Sequence, residues 1–260
     1  MGGQDSGNRR FRVGIVGSTK LTLKSMNAIK DFVDIRLVFG LTEEERKNKV
    51  NSVDLTDFCK QESIELLEGK EWKALASYDL DFLITLGDSR IIPAYVFDEY
   101  TVYGNHGALL PDVQGGASLV WGRMLNTGRW GVTIFELDEK IDSGDILVLK
   151  PFEYDVGCTM EEFVNLADDK TVEGLVEFLH GLPTGDYNRL QNSKWSARVR
   201  RHTDSLKAST LLMTCVDNST SVYMPSRTPD DGIINPNWTE DFKRRFKLAN
   251  SYPYPNWREK

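Results

Sequence analysis

Only three histidines occur in the chain, and His106 sits between Asn105 and Gly107 directly after the apolar run Thr101-Val-Tyr103. A neutral imidazole exchanges a proton near pH 7, which few other side chains do. The adjoining carboxamide of Asn105 can donate to a developing oxyanion. Asp142, in Ile141-Asp142-Ser143-Gly144, precedes a further apolar run and can fix the imidazole's tautomer or accept a proton. Spacing alone leaves two readings open, a His–Asp–Asn reaction site and a histidine in a capped glycine turn. His180, near a helix end, and His202, in a basic turn, read as structural or solvated.

A second motif is Gly14-Ile-Val-Gly17-Ser18-Thr-Lys20. Its two glycines do not make the G-x-G-x-x-G fingerprint or the Walker spacing, so a nicotinamide enzyme is poorly supported. Backbone amides with Ser18 and Lys20 at a helix start can hold a phosphate. The alternative is a tight strand-to-helix turn with Lys20 in solvent.

The elements that must position these residues alternate. Strands are expected at Phe11–Val16, Ile35–Phe39, Phe82–Thr85, Thr101–Tyr103, Trp130–Leu137 and Ile146–Leu149. Helices are expected at Leu21–Phe32, Asp54–Lys60, Trp72–Ser77, Ser118–Asn126 and Thr159–Leu179, with Glu43–Lys49 as a solvated loop or helix face. Such alternation predicts an α/β, Rossmann-like doubly wound and mostly parallel sheet. Ligands gather beyond the carboxyl ends of strands in such sheets. From Pro183 the texture changes to short strands, a turn cluster at Pro225–Gly232 and a last helix at Glu240–Ala249. The expected division is a flexible lead at 1–10, a catalytic domain at 11–182 and a small accessory region at 183–260.

Composition narrows the function. The 260 residues are 40% hydrophobic and 27% charged, with a net charge of −7 that argues against a nucleic-acid partner. Cys59, Cys158 and Cys215 stand far apart, without metal-ligand spacing, so no metal is expected and a reducing, cytoplasmic setting is. No apolar run has the length of a membrane helix, and Met1–Arg10 lacks a signal peptide's apolar core. That lead formally matches a myristoylation pattern, and Asn218 and Asn237 match glycosylation triplets without meaning in the cytosol.

The stretch from Tyr103 to Leu149 resembles the core of the 10-formyltetrahydrofolate-dependent formyltransferases, a family acting on methionyl-tRNA, glycinamide ribonucleotide or nucleotide-linked amino sugars. The residues that carry the resemblance are His106, Leu109-Leu-Pro111, Gly115-Gly116, Gly131-Val-Thr133 and Ile141-Asp142-Ser-Gly144-Asp-Ile-Leu. Arg227-Thr-Pro-Asp-Asp-Gly232 and Tyr252-Pro-Tyr-Pro also resemble the family's region after its catalytic domain. One departure stands out: the family's Asn lies two residues before His, where this chain has Gly104.

The resemblance implies 10-formyltetrahydrofolate as formyl donor and Asn105, His106 and Asp142 as catalytic residues. It implies a folate pocket lined by Asp88, Ser89, Arg90, Ile91 and Ile92 and by Asp138, Glu139, Lys140 and Ile141. Ser18, Lys20, Gln114, Gly115 and Gly116 are the candidate acceptor contacts. A GDP-, dTDP- or UDP-linked amino sugar, as in lipopolysaccharide O-antigen biosynthesis, fits the length and the accessory region best. Such enzymes imply a homodimer, with Ser209–Met224 as the candidate interface. Methionyl-tRNA and glycinamide ribonucleotide remain the alternative acceptors. A formyltetrahydrofolate hydrolase and a non-catalytic binding protein are the readings from other classes.

Overall fold

The computed structural model describes residues 10–69, 71–187, 189–190, 200–201 and 222–259. The chain divides into two compact units, one ending at Tyr103 and the other beginning at Gly104.

The first unit opens with β1 (Arg12–Val16), α1 (Lys20–Ile29), β2 (Asp34–Gly40), α2 (Glu43–Lys47) and α3 (Thr56–Glu62). It continues with β3 (Glu65–Glu68), a 3-10 helix at Trp72–Ser77, β4 (Phe82–Thr85) and α4 (Ala94–Glu99). Thr19 caps α1 through a reciprocal bond with Thr22, and α1 buries Leu21, Ser25, Met26 and Ile29. This is the i, i+4 face that helical spacing requires. β1 pairs in parallel with β2 on one side and β4 on the other, with Ile15 opposite both Val38 and Ile84. β3 adds a parallel edge beyond β2. Each full Val or Ile burial in these strands contributes roughly 2 kcal/mol, which explains their unbroken apolar runs. The chain winds from β1 to β2 and β3 in one direction and returns to β4 on the other side, so strand order reverses between β1 and β4.

β5 (Val102–His106) begins in the first unit and ends in the second. Then come β6 (Val113–Gly115), α5 (Ser118–Leu125), β7 (Arg129–Glu136), β8 (Ile146–Glu153) and α6 (Met160–Gly181). Short elements follow: a 3-10 turn at Leu182–Thr184, β9 (Arg200–Arg201), β10 (Val222–Met224) and a 3-10 turn at Pro229–Gly232. β11 (Ile233–Ile234), α7 (Glu240–Ala249) and β12 (Arg258–Glu259) complete the described chain. The main sheet runs β3-β2-β1-β4-β5-β7-β8, seven strands in all, with β7 and β8 antiparallel at one end. This is the mostly parallel α/β architecture that the sequence predicts.

Several elements depart from expectation. β3, α4 and β6 have no expected counterpart, because Glu-Leu-Leu-Glu, a single turn after Pro93 and Val-Gln-Gly are too short to show a period. β8 runs to Glu153 rather than stopping at Leu149, pairing with β7 along its full length. The expected boundary at 182/183 falls inside the second unit. Met224, Ile234, Phe242 and Phe246 share one apolar core with Trp121 of α5, Phe152 of β8 and Phe163 of α6. A ten-residue helix such as α7 cannot shield its own apolar face, and its phenylalanines are buried in this core. The stretches at Trp195 and at Ser209–Cys215, with the greater part of the candidate dimer interface, lie outside the described residues.

Candidate active site

The segment that follows β5 is fixed from several directions. Thr133 of β7 is fully buried, donating to the Ala108 carbonyl at 2.7 Å and accepting from the Leu110 amide at 2.9 Å. Trp130 Nε1 donates to the Gly107 carbonyl at 2.7 Å. Gly131 leaves room for the Leu109 side chain, which a Cβ there would meet at 2.5 Å. The Gly-Val-Thr motif is therefore the clamp on the loop that leaves His106.

His106 is 6% exposed, and its ring is held on both sides. Nε2 lies 2.9 Å from the Val113 carbonyl. A carbonyl can only accept, so Nε2 carries the hydrogen and Nδ1 is left for proton exchange. Nδ1 stands 3.5 Å from Oδ1 of Asp142. A proton on Nδ1 thus points at a carboxylate, and an imidazolium formed during a reaction is stabilised there.

Asp142 lies in the turn between β7 and β8 with φ of +53°, in the left-handed region that Asp tolerates better than most residues. Its Oδ2 accepts the Gly115 amide at 2.6 Å, and its carbonyl accepts Gln114 Nε2 at 2.9 Å. Gly144 makes the turn possible, since a Cβ there would lie 1.6 Å from the Glu136 carbonyl. His106 and Asp142, remote in sequence, are thereby brought together in the second unit.

Asn105 precedes His106 within the same strand. β5 extends through His106, and neighbouring strand residues point to opposite faces. Half-buried Asn105 therefore shares a face with Tyr103 rather than with His106, and glycine occupies the position two before His106. The assignment of Asn105 to the reaction centre stays a proposal beside this change of strand face.

The candidate acceptor contacts are largely spoken for within the protein. Ser18, 2% exposed, accepts the Leu41 amide at 2.7 Å. The Lys20 amide at the start of α1 donates to the Asn51 carbonyl at 2.9 Å, while the Lys20 side chain is exposed. The phosphate cradle expected there is thus partly occupied by the chain itself. Gln114 and Gly115 contact Asp142, and the Gly116 amide donates to the Met224 carbonyl at 2.9 Å.

In the first unit, the loop after β4 is built around Arg90. Its guanidinium donates to the carbonyls of Phe39, Gly40 and Gly69, pairs with Asp88 at 2.8 Å and lies over the Phe39 and Trp72 rings. Arg90 and Asp88 therefore shape this loop from within. Ile91, 77% exposed, is left facing outward, with Ile92 half-buried beside it. Ser89 accepts from Lys49 Nζ at 2.9 Å, a contact that sequence reasoning missed. Burial holds the Lys49 ammonium below the usual lysine range, against the pull of Asp88. In the second unit, Asp138 caps its own turn through the Lys140 amide at 2.9 Å, and Glu139, Lys140 and Ile141 are exposed. Among the described residues no cluster of His, Cys, Asp or Glu is placed to hold a metal ion, and no helix is long and apolar enough to cross a membrane.

Comparison with known proteins agrees with this geometry. The family model described as "Formyl transferase" matches residues 26–179, which include His106 and Asp142. The chain is 21% identical to methionyl-tRNA formyltransferase of Prochlorococcus marinus over 82% of its own length and 70% of that protein's. It is 33% identical to the Acidobacterium capsulatum methionyl-tRNA formyltransferase, over 40% of this chain and 34% of that protein. Among solved structures, a 4-N formyltransferase from Francisella tularensis superposes with a TM-score of 0.69 at 16% identity, covering 96% of this chain and 92% of that one. An N-formyltransferase from Helicobacter canadensis, in complex with folinic acid and dTDP-3-aminofucose, gives 0.64 at 15% identity over 92% and 80% of the two chains. HypX from Aquifex aeolicus gives 0.64 at 16% identity over 96% of this chain and 36% of its own. The family match covers more than half of the chain and contains the paired imidazole and carboxylate: this chain belongs to the formyl transferase family, enzymes that move a one-carbon formyl unit.

Proposed function

We propose that this chain moves a formyl group from 10-formyltetrahydrofolate to the amine of a nucleotide-linked amino sugar. The observation that carries the reading is the buried pairing of His106 Nδ1 with Asp142 Oδ1 at 3.5 Å, inside the region that matches the family. The amine attacks the formyl carbon and a tetrahedral intermediate forms. Protonated His106 stabilises its oxyanion, and Asp142 holds that imidazolium and helps to relay the amine's proton. Collapse breaks the bond to the folate nitrogen, which takes up the proton, and releases the N-formyl product. Holding amine and donor side by side supplies much of the acceleration. Asn105, the neighbour of His106 in β5, is the carboxamide proposed to donate to the same oxyanion.

The sugar acceptor is favoured by structural neighbours that cover nearly the whole chain, and by the net charge of −7, which disfavours RNA. A second reading, methionyl-tRNA as acceptor, is favoured by the names of the sequence relatives quoted above. The sugar reading brings with it a cytoplasmic homodimer acting in O-antigen assembly. The deciding assay incubates the protein with 10-formyltetrahydrofolate alone, with dTDP-, UDP- and GDP-linked amino sugars, and with methionyl-tRNA. Formyl transfer to a sugar only is the expected result. Transfer to methionyl-tRNA, acceptor-independent release of formate, or silence with every acceptor would each reject it, in favour of the RNA enzyme, a hydrolase or a binding protein respectively.

A further inference from the structure

β6 is three residues long, yet each residue sends a polar group to the candidate dyad. The Val113 carbonyl accepts His106 Nε2 at 2.9 Å, Gln114 Nε2 donates to the Asp142 carbonyl at 2.9 Å, and the Gly115 amide donates to Asp142 Oδ2 at 2.6 Å. So short a strand does not hold its place unaided. β10 braces it in parallel register, Val222 opposite Val113 and Met224 opposite Gly115. The Val222 amide donates to the Asp112 carbonyl at 2.7 Å and the Gly116 amide to the Met224 carbonyl at 2.9 Å. The two strands approach so closely that a Cβ on Gly115 would lie 2.1 Å from the Met224 carbonyl.

Gln114 is 4% exposed, which places its carboxamide against the protein rather than before a ligand. Its bond partner is the carbonyl of a residue whose backbone is left-handed, at φ of +53°. An L-residue leaves that region unless its surroundings hold it there. If Asp142 relaxes toward an ordinary backbone angle, its carboxylate swings away from Nδ1 of His106.

We propose that Gln114, with β10 bracing β6 behind it, is a positioning residue that locks Asp142 in the backbone conformation from which its carboxylate reaches His106. This rests on the reading of His106 and Asp142 as the reaction centre. It makes a segment near the C-terminus part of the catalytic apparatus without its touching substrate. A displacement of about 1 Å at a reacting group can lower turnover by up to roughly a hundredfold.

The test uses the full chain. Gln114→Met keeps the shape and removes the donor, Gln114→Glu keeps the shape and replaces the donor with an acceptor, and Val222→Pro removes the β10 donor to Asp112. Each is expected to lower kcat about tenfold or more with KM for donor and acceptor unchanged, as loss of an interaction made only in the transition state should. In 15N-histidine-labelled protein, whose His106 signals are assigned by their loss in His106→Asn, the His106 ring-nitrogen shifts, which report which nitrogen carries the hydrogen, should move away from their wild-type values. His180 should stay where it is. This second readout needs neither folate nor acceptor. If His106→Asn is inactive while the Gln114 variants keep wild-type kcat and unmoved His106 ring-nitrogen shifts, the positioning role is overturned. A raised KM with unchanged kcat overturns it as well, making Gln114 a ligand contact. Should Gln114 variants fail to fold, Val222→Pro decides by the same readouts. Full activity of His106→Asn sinks instead the reading beneath it.

Discussion

Nδ1 of His106 and Oδ1 of Asp142 stand 3.5 Å apart, one at the end of a strand and the other in a left-handed turn. The Val113 carbonyl fixes the other side of the imidazole, so this ring has one nitrogen for proton exchange and one for orientation. The arrangement can stabilise an imidazolium, and its removal has a defined cost.

Replacing His106 with Asn should lower kcat by about three orders of magnitude, within the range that general acid–base groups contribute. The smaller side chain keeps a hydrogen-bonding end in the same pocket, so far-UV circular dichroism should be unchanged. Turnover within tenfold of wild type would remove His106 from the mechanism.

Gly144→Ala tests the turn that presents Asp142. The added Cβ would overlap the Glu136 carbonyl, and both atoms belong to backbone that cannot move aside cheaply. A loss of about 3 kcal/mol is expected, with activity falling alongside, and a urea titration reads the first. A midpoint equal to wild type would mean that this turn is softer than its packing implies.

Lys49 gives a pH signature. Burial lowers its value in the folded chain below the ordinary 10.5. A base shifted this way reduces stability fully at pH below its folded value, and the penalty fades as pH climbs toward the ordinary one. Lys49→Met should therefore be more stable than wild type near pH 7, with the gap closing as pH nears about 10.5. A gap that widens with pH would contradict the assignment.

Cys59 is 2% exposed and burial pushes its thiol up to about 11. The thiolate is the reactive form, so iodoacetamide at about pH 8 should label Cys59 slowly in the folded chain and readily in urea. Peptide mass spectrometry distinguishes it from the half-buried Cys158. Equal rates in both conditions would show that the first unit opens easily.

Much of this was legible in the residues themselves. The runs at Arg12–Val16 and Phe82–Thr85 announced buried parallel strands, and Glu240–Ala249 matched its helical spacing end to end. A motif read along the chain does not reveal where a strand ends: the sequence places the end of β5 at Tyr103, whereas it runs through Asn105 and His106. The contacts of Arg90 with three backbone carbonyls have no side-chain signature in the sequence. The partner of Gln114 is unreadable for the same reason, being a main-chain oxygen 28 positions away. β3, α4 and β6 are too brief for periodicity, and tertiary pairing alone defines them.

The core shared by α6 and α7 has a bearing on chain continuity. Both helices bury phenylalanines in one cluster, although residues 182–239 intervene between them. Apolar packing of this kind also holds two peptides together, against the added entropy cost of association. A break in the backbone between the two helices should thus leave two fragments that co-elute as a single species. Expressed as separate polypeptides, they should reassemble into an active enzyme.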